Sequence, residues 1–181
     1  MLVTKNEVKE LFESVLIAGV LAFFIITFVV QSFVVQGHSM EPTLHDGERL
    51  FVNKFIYRFR EPQRGEVVVF TPRGAPNKKY IKRVIGTPGD TVYIKDGVTY
   101  VNGQPLEEDY IKEEMKGDFG PYQVPENSVF VMGDNRNNSA DSRYPGYVGY
   151  VPYDSISGLA FWVYWPITDM RVIDQVKYEN I

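Results

Sequence analysis

The chain has 181 residues, 44% of them hydrophobic, which is enough for one compact domain with a packed core and too little for two full-sized ones. A formal net charge of −4 with no long basic block leaves no electrostatic footprint for nucleic acid. The lack of cysteine excludes a disulfide framework, a thiolate nucleophile and a Cys-ligated zinc site, and two histidines, His38 and His45, are too few for a histidine-rich centre, so no metal or cofactor is expected.

From Ser14 to Met40 no residue is charged when His38 is neutral, and 15–30 reads VLIAGVLAFFIITFVV, interrupted only by Gly19 and Thr27. About 20 helical residues rising about 1.5 Å each cover the roughly 30 Å hydrocarbon core of a bilayer, so residues 14–35 are expected to be a transmembrane anchor. A buried core helix is usually shorter and broken by polar residues. A cleaved leader would use the small-residue site at Val35-Gln-Gly37, yet the apolar run exceeds the usual core of about 7 to 15 residues, and KNEVKELFE before it mixes acids with Lys5 and Lys9. Lys5 and Lys9 precede the span while Arg49 and Lys54 follow it, so the positive-inside rule decides little. The expected order is a short cytoplasmic amino terminus (1–13), the anchor (14–35) and an extracytoplasmic domain (36–181).

Beyond residue 40 the chain turns to short runs of Val, Ile, Tyr and Phe separated by turn residues. Strands are expected at 49–53, 66–71, 80–86, 91–95, 99–101, 128–132 and 156–164. TPGD at 87–90 carries Pro and Gly at the centre of a type II turn, and Asp96-Gly97 and Asn102-Gly103 are hairpin signals. The fold class is therefore mainly β, an antiparallel, strongly twisted sheet system. The polar stretch at about 104–127 interrupts the strand rhythm and reads as a small insertion.

Three stretches carry candidate chemistry. Ser39 lies between the apolar run and the turn Met40-Glu-Pro42-Thr43, where a serine is held exposed and rigid; the plain alternative is a serine that closes a turn. His38 is its obvious activator, but neighbours in extended chain face opposite ways. Lys82, in the strand pattern YIKRVIG among apolar neighbours, offers a different base. Desolvation disfavours an ammonium, and a drop from about 10.4 to about 7 or 8 leaves a neutral amine near physiological pH. A solvated lysine at a sheet edge is the ordinary alternative. The third stretch, GDNRNNSADSR at 133–143, reads as an internally hydrogen-bonded loop. It is not a calcium loop, because counted from Asp134 the sixth residue is Ser139 and the twelfth Pro145.

Taken together, SMEPTL (39–44), RGEVVVF (64–70), YIKRVIGTPGD (80–90) and GDNRNNSADSR (133–143), in this order behind an apolar anchor, resemble the bacterial type I signal peptidases. The resemblance covers nearly the whole chain and implies a plasma-membrane serine endopeptidase, single-pass with its catalytic domain outside, that removes signal peptides from exported preproteins. On it, Ser39 matches the nucleophile and Lys82 the general base. Ser139 matches the hydroxyl that orients the lysine, and Asp141 and Arg143 the pair that braces the loop, with Arg83 and Asp134 in the same charged support. The Ser39 backbone N–H matches an oxyanion donor. Gly37 stands where some members place a serine as a second donor, as in the shorter Gram-positive-like members. The resemblance also implies extended substrates with small residues at positions −1 and −3 of the cut, and contact with membrane lipid, for which Phe55, Tyr57, Phe59, Trp162, Tyr164 and Trp165 are suited unless they are ordinary core aromatics.

Two alternatives remain on the sequence. The self-cleaving Ser-Lys repressors share an SM turn and a lysine but are soluble and usually carry a DNA-binding domain. A tethered β-domain that binds extracellular peptides would need no Ser39–Lys82 pairing. The archaeal and endoplasmic-reticulum signal peptidases use His where this chain has Lys82.

Overall fold

The computed structural model describes residues 5–24 and 29–178. The first element, α1 (Lys5–Phe24), is built largely of good helix formers, with Glu7 in the first turn where it complements the helix dipole. Its described side chains are all exposed, among them Leu16, Ile17, Leu21 and Phe23.

The expected anchor does not continue as one helix to residue 35. Residues 25–28 lie outside the described residues, and Val30–Val34 form a strand, β1. Apolarity alone does not distinguish a helix from a strand, and the β-branched residues at 29, 30, 34 and 35 fit the pleated surface better. β1 is held by antiparallel pairing with β2 (Arg49–Asn53), from Val30 opposite Asn53 to Val34 opposite Arg49. Among the described residues no helix is long and apolar enough to cross a membrane.

The rest of the chain is the expected antiparallel β-structure. It contains β3 (Val67–Phe70), β4 (Tyr80–Gly86), β5 (Thr91–Lys95), β6 (Val98–Val101), β7 (Gln104–Pro105), β8 (Phe119–Gln123), β9 (Ser128–Met132), β10 (Val151–Pro152), β11 (Ile156–Trp165) and β12 (Arg171–Val172). An eight-stranded sheet runs β1-β2-β11-β3-β4-β9-β10 with β12 beside β11; a four-stranded sheet runs β7-β6-β5-β8. Register shifts in β11, between Val84 and Gly86 and between Val92 and Ile94 bend the sheets and increase their twist. The two hairpins form as the sequence indicates, with Asp96-Gly97 joining β5 to β6 and Asn102-Gly103 joining β6 to β7, all four residues at positive φ.

The polar stretch at 104–127 is tied into the fold more closely than a small insertion suggests. It supplies β7 and β8 to the second sheet, and Leu106, Met115 and Val124 bury beside Ile85, Ile94 and Phe130. Its few apolar residues are spaced too irregularly to show a strand period.

β3 and β4 lie in the middle of the large sheet. All four residues of β3 are buried, Val67 and Val69 against Leu50, Val52 and Val163, Val68 and Phe70 against Val84, Val129 and Val131. With both faces covered, the strand shows no polar alternation. The same burial extends into β4, where Lys82 and Arg83 are enclosed beside β3 and β9.

Candidate active site

Beyond β1 the chain pairs briefly with the start of the next strand, Val35 N–H to Glu48 O and Gly47 N–H to Val35 O, which closes residues 36–46 into a tight excursion. Met40 and Leu44 are buried and pin the excursion to the core. Arg171 clamps its far side, donating to both Glu48 carboxylate oxygens at 2.7 and 2.9 Å and to Thr43 O at 2.7 Å. Ser39 sits on this pinned turn, half-buried. Among the described residues its N–H donates no backbone hydrogen bond.

Lys82 reaches the same point from β4. Its Nζ donates to Ser39 Oγ at 2.7 Å and to Ile81 O at 2.8 Å. The residue is 3% exposed, and burial lowers the ammonium from 10.5 to about 8, against the pull of the nearby Asp141 and Asp134 carboxylates. A lysine at about 8 is substantially neutral at mildly alkaline pH, which is what a base requires. His38 takes no part in this contact. Its ring is on the outside, with Nδ1 2.7 Å from Glu41 Oε1.

The 133–143 loop packs against the Ser39 turn and brings the Asp134 and Asp141 carboxylates near Lys82. Asn135 N–H donates to Ser39 O at 3.0 Å, and its side-chain amide to His38 O at 3.0 Å. Asp134 receives Arg83 through two bonds of 3.0 and 2.7 Å and Thr43 Oγ1 at 2.5 Å. Asp141 receives Arg143 through two bonds of 2.8 Å and the Gly133 N–H at 3.1 Å. Arg83, Asp134, Asp141 and Arg143 are all buried, so each charge has its partner inside the protein.

Ser139 is close by but is not joined to Lys82 in this structure. Its Oγ is buried with no hydrogen-bond partner among the described residues, packed against Gly133 so closely that a Cβ on Gly133 would lie 2.4 Å from it and 2.4 Å from Ser39 O. Gly37 is at φ +87, a conformation that favours glycine over serine, and its N–H donates to Asp46 Oδ1 at 2.6 Å.

Ser39 and Lys82 open on a cavity of about 620 Å³, walled on one side by 34–40 and on the other by 77–82, with Asn138 and Ala140 at its end. Among the described residues no cluster of His, Asp or Glu is placed to hold a metal ion. Several residues of the site carry no signal in the reading by strand and turn. Asn135 and Arg136 lie inside GDNRNNSADSR without a role there, and Thr43 inside SMEPTL. Glu108 and Arg171, far away in sequence, become visible only through the ion pairs they make with Arg136 and Glu48.

The comparisons with known proteins agree with this geometry. The family described as signal peptidase, peptidase S26, matches residues 8–165. The Synechocystis sp. protein "Probable signal peptidase I-2" is 44% identical over 98% of this chain and 83% of its own. Signal peptidase I of Bacillus licheniformis is 42% identical over 94% of this chain and 95% of its own, and signal peptidase I T of Bacillus subtilis 42% identical over 88% and 86%. Likeness of this degree along nearly the full length of both partners leaves one conclusion: the chain belongs to the signal peptidase family, peptidase S26, and is an enzyme of that family.

Proposed function

We propose that this protein is a membrane-attached endopeptidase that removes signal peptides from exported preproteins, with Ser39 as nucleophile and neutral Lys82 as general base. The 2.7 Å contact between Lys82 Nζ and Ser39 Oγ, made by a buried lysine at the edge of an open cavity, carries the reading. Neutral Nζ takes the Ser39 proton as Oγ attacks the scissile carbonyl. The Ser39 N–H, which donates no backbone hydrogen bond among the described residues, stabilises the oxyanion that forms. The Lys82 ammonium then gives its proton to the departing amine of the mature protein, and the same residue activates the water that releases the acylated signal peptide. The Asp134 and Asp141 ion pairs fix the lysine's surroundings, and Ser139 orients Nζ once substrate fills the cavity.

The cavity walls support extended binding. Val35, Met40 and Ile81 give part of the lining an apolar surface that suits small side chains at positions −1 and −3, beside polar residues such as Gln36, Asn77 and Asn138 that suit a peptide backbone. The exposed apolar side chains of α1 from Val15 to Phe24 support attachment to the bilayer, and membership of the signal peptidase family supports a β-domain on the extracytoplasmic side.

The test is cleavage of a preprotein whose signal ends in Ala-x-Ala by the detergent-solubilised full chain, beside Ser39→Ala, Lys82→Ala and Lys82→Arg. All three variants should be folded and silent: Ser39→Ala lacks the nucleophile, Lys82→Ala lacks the base, and the guanidinium of Lys82→Arg does not give up its proton near neutral pH. Turnover by folded Lys82→Arg would end the neutral-lysine mechanism.

A further inference from the structure

We infer that Glu108 is a positioning residue for the catalytic loop, acting through Arg136; the inference rests on the reading of Ser39 and Lys82 as the reacting pair. Glu108 lies in the irregular stretch between β7 and β8, outside the motifs that carry the chemistry. Its carboxylate accepts two hydrogen bonds from the Arg136 guanidinium, at 2.7 and 2.5 Å, and a third from Tyr110 OH at 2.6 Å. Arg136 and the Glu108 side chain are almost wholly buried.

Arg136 is where this outside support enters the loop. Its Nε donates to Gly133 O at 3.2 Å, its Nη1 also to Thr99 Oγ1 at 2.8 Å, and its own carbonyl accepts Arg143 Nη2 at 2.7 Å. One residue thus ties Glu108 to the backbone at Gly133 and to the Arg143–Asp141 pair. Tyr110 provides a second route, since its ring lies 4.2 Å from the Arg83 guanidinium, next in sequence to Lys82, and its hydroxyl is 2.6 Å from Tyr178 OH.

The loop leaves no slack for error. Gly133 is packed against both Ser139 and Ser39 O, and among the described residues the Ser139 hydroxyl has no bond to hold it. Its position relative to Lys82 follows that of the loop backbone. Neutralising Glu108 leaves Arg136 as a buried cation without its carboxylate, and the loop shifts to relieve it. A displacement on the order of 1 Å between reacting groups costs about a hundredfold in rate. The cavity walls at 34–37 and 77–81 do not contain Glu108 or Arg136, so substrate binding stays largely intact.

The experiment measures kcat and KM of the full chain on an Ala-x-Ala signal substrate for wild type, Ser39→Ala and Glu108→Gln, with thermal unfolding of each. Glu108→Gln keeps the shape and removes the charge; kcat should fall about tenfold or more with KM within about twofold, at a temperature where the variant is folded. Unchanged kcat, or a loss confined to KM, overturns the inference. If Glu108→Gln does not fold, Tyr110→Phe decides in its place: it removes only the bonds of one hydroxyl, and the same fall in kcat at constant KM is expected. An inactive wild type, or cleavage by Ser39→Ala, overturns the Ser-Lys reading and this inference with it. Cleavage that needs Ser39 and is indifferent to Glu108 and Tyr110 removes this inference alone.

Discussion

Arg83 and Asp134 meet as a two-bond ion pair in the interior, 1% and 0% exposed, directly behind Lys82. Each pays for the burial of the other, and Arg83 also caps Gly65 O and Asp174 O, tying β4 to the carboxyl-terminal tail. Removing one partner of a buried pair leaves an uncompensated charge. Asp134→Asn should therefore lose about 3 to 5 kcal/mol of stability, measured by denaturant unfolding. A loss under about 1 kcal/mol would show that water or another group reaches Arg83.

The position of Lys82 sets the pH dependence of catalysis. Burial holds its ammonium at about 8, and only the neutral amine accepts the Ser39 proton. kcat/KM should rise tenfold per pH unit below about 8 and level off above it. A profile flat from pH 6 upwards would mean that another group is the base.

The same burial makes Lys82 a cost to stability, with a definite sign. The unfolded lysine titrates at 10.5 and the folded one at about 8, so between those values the unfolded chain holds a proton that the folded chain lacks. Stability therefore rises with pH across that window, and below about 8 the folded state carries the full penalty, about 3 kcal/mol. Lys82→Met should be inactive yet more stable than wild type at pH 7, with the advantage shrinking as pH approaches 10.5. Unfolding free energies at pH 7 and pH 10 test both statements.

Most of the strand frame was legible because its signals are local. The runs at 49–53, 80–86, 91–95 and 128–132 are strands with those bounds, and the Asp-Gly and Asn-Gly turns force their hairpins. What escaped depends on distant contacts. Val30–Val34 is apolar enough for a helix and becomes β1 only because β2 offers an open edge. Phe119–Gln123 joins β5 although Gly120 and Pro121 argue against a strand. At the site, Ser39 and Lys82 meet across a separation of 43 residues, which no spacing rule yields; the apolar strand around Lys82 makes it a candidate base, and the resemblance assigns the pair its roles. The partners of Arg136 and Glu48 had no sequence signal at all.

Ser139 offers a case where stability and activity part. Its hydroxyl is buried without a partner among the described residues, a state that costs about 1 to 3 kcal/mol. Ser139→Ala should unfold at the same denaturant concentration as wild type or a higher one, while kcat falls, less completely than in Ser39→Ala. A clear loss of stability would show that the hydroxyl is bonded in the free enzyme.

Gly133 tests how closely the loop must fit. The space a side chain would occupy is already filled: a Cβ would sit 2.4 Å from Ser139 Oγ, 2.4 Å from Ser39 O and 2.7 Å from Ser139 Cβ. Ser39 O belongs to a turn clamped by Arg171 and Asn135, so it does not retreat. Ser139 is the softer neighbour, but moving it shifts the loop that carries Asp141, whose carboxylate accepts the Gly133 N–H. Gly133→Ala should therefore lose about 1 to 3 kcal/mol through overpacking. Because the strain falls between the nucleophile's carbonyl and the loop facing Lys82, kcat should fall by about a hundredfold even where the protein stays folded. Kinetics on the folded variant, with secondary structure followed by circular dichroism, separates the two effects. Near wild-type turnover would mean that the Ser39 turn and the loop yield together without disturbing the contact between Ser39 and Lys82.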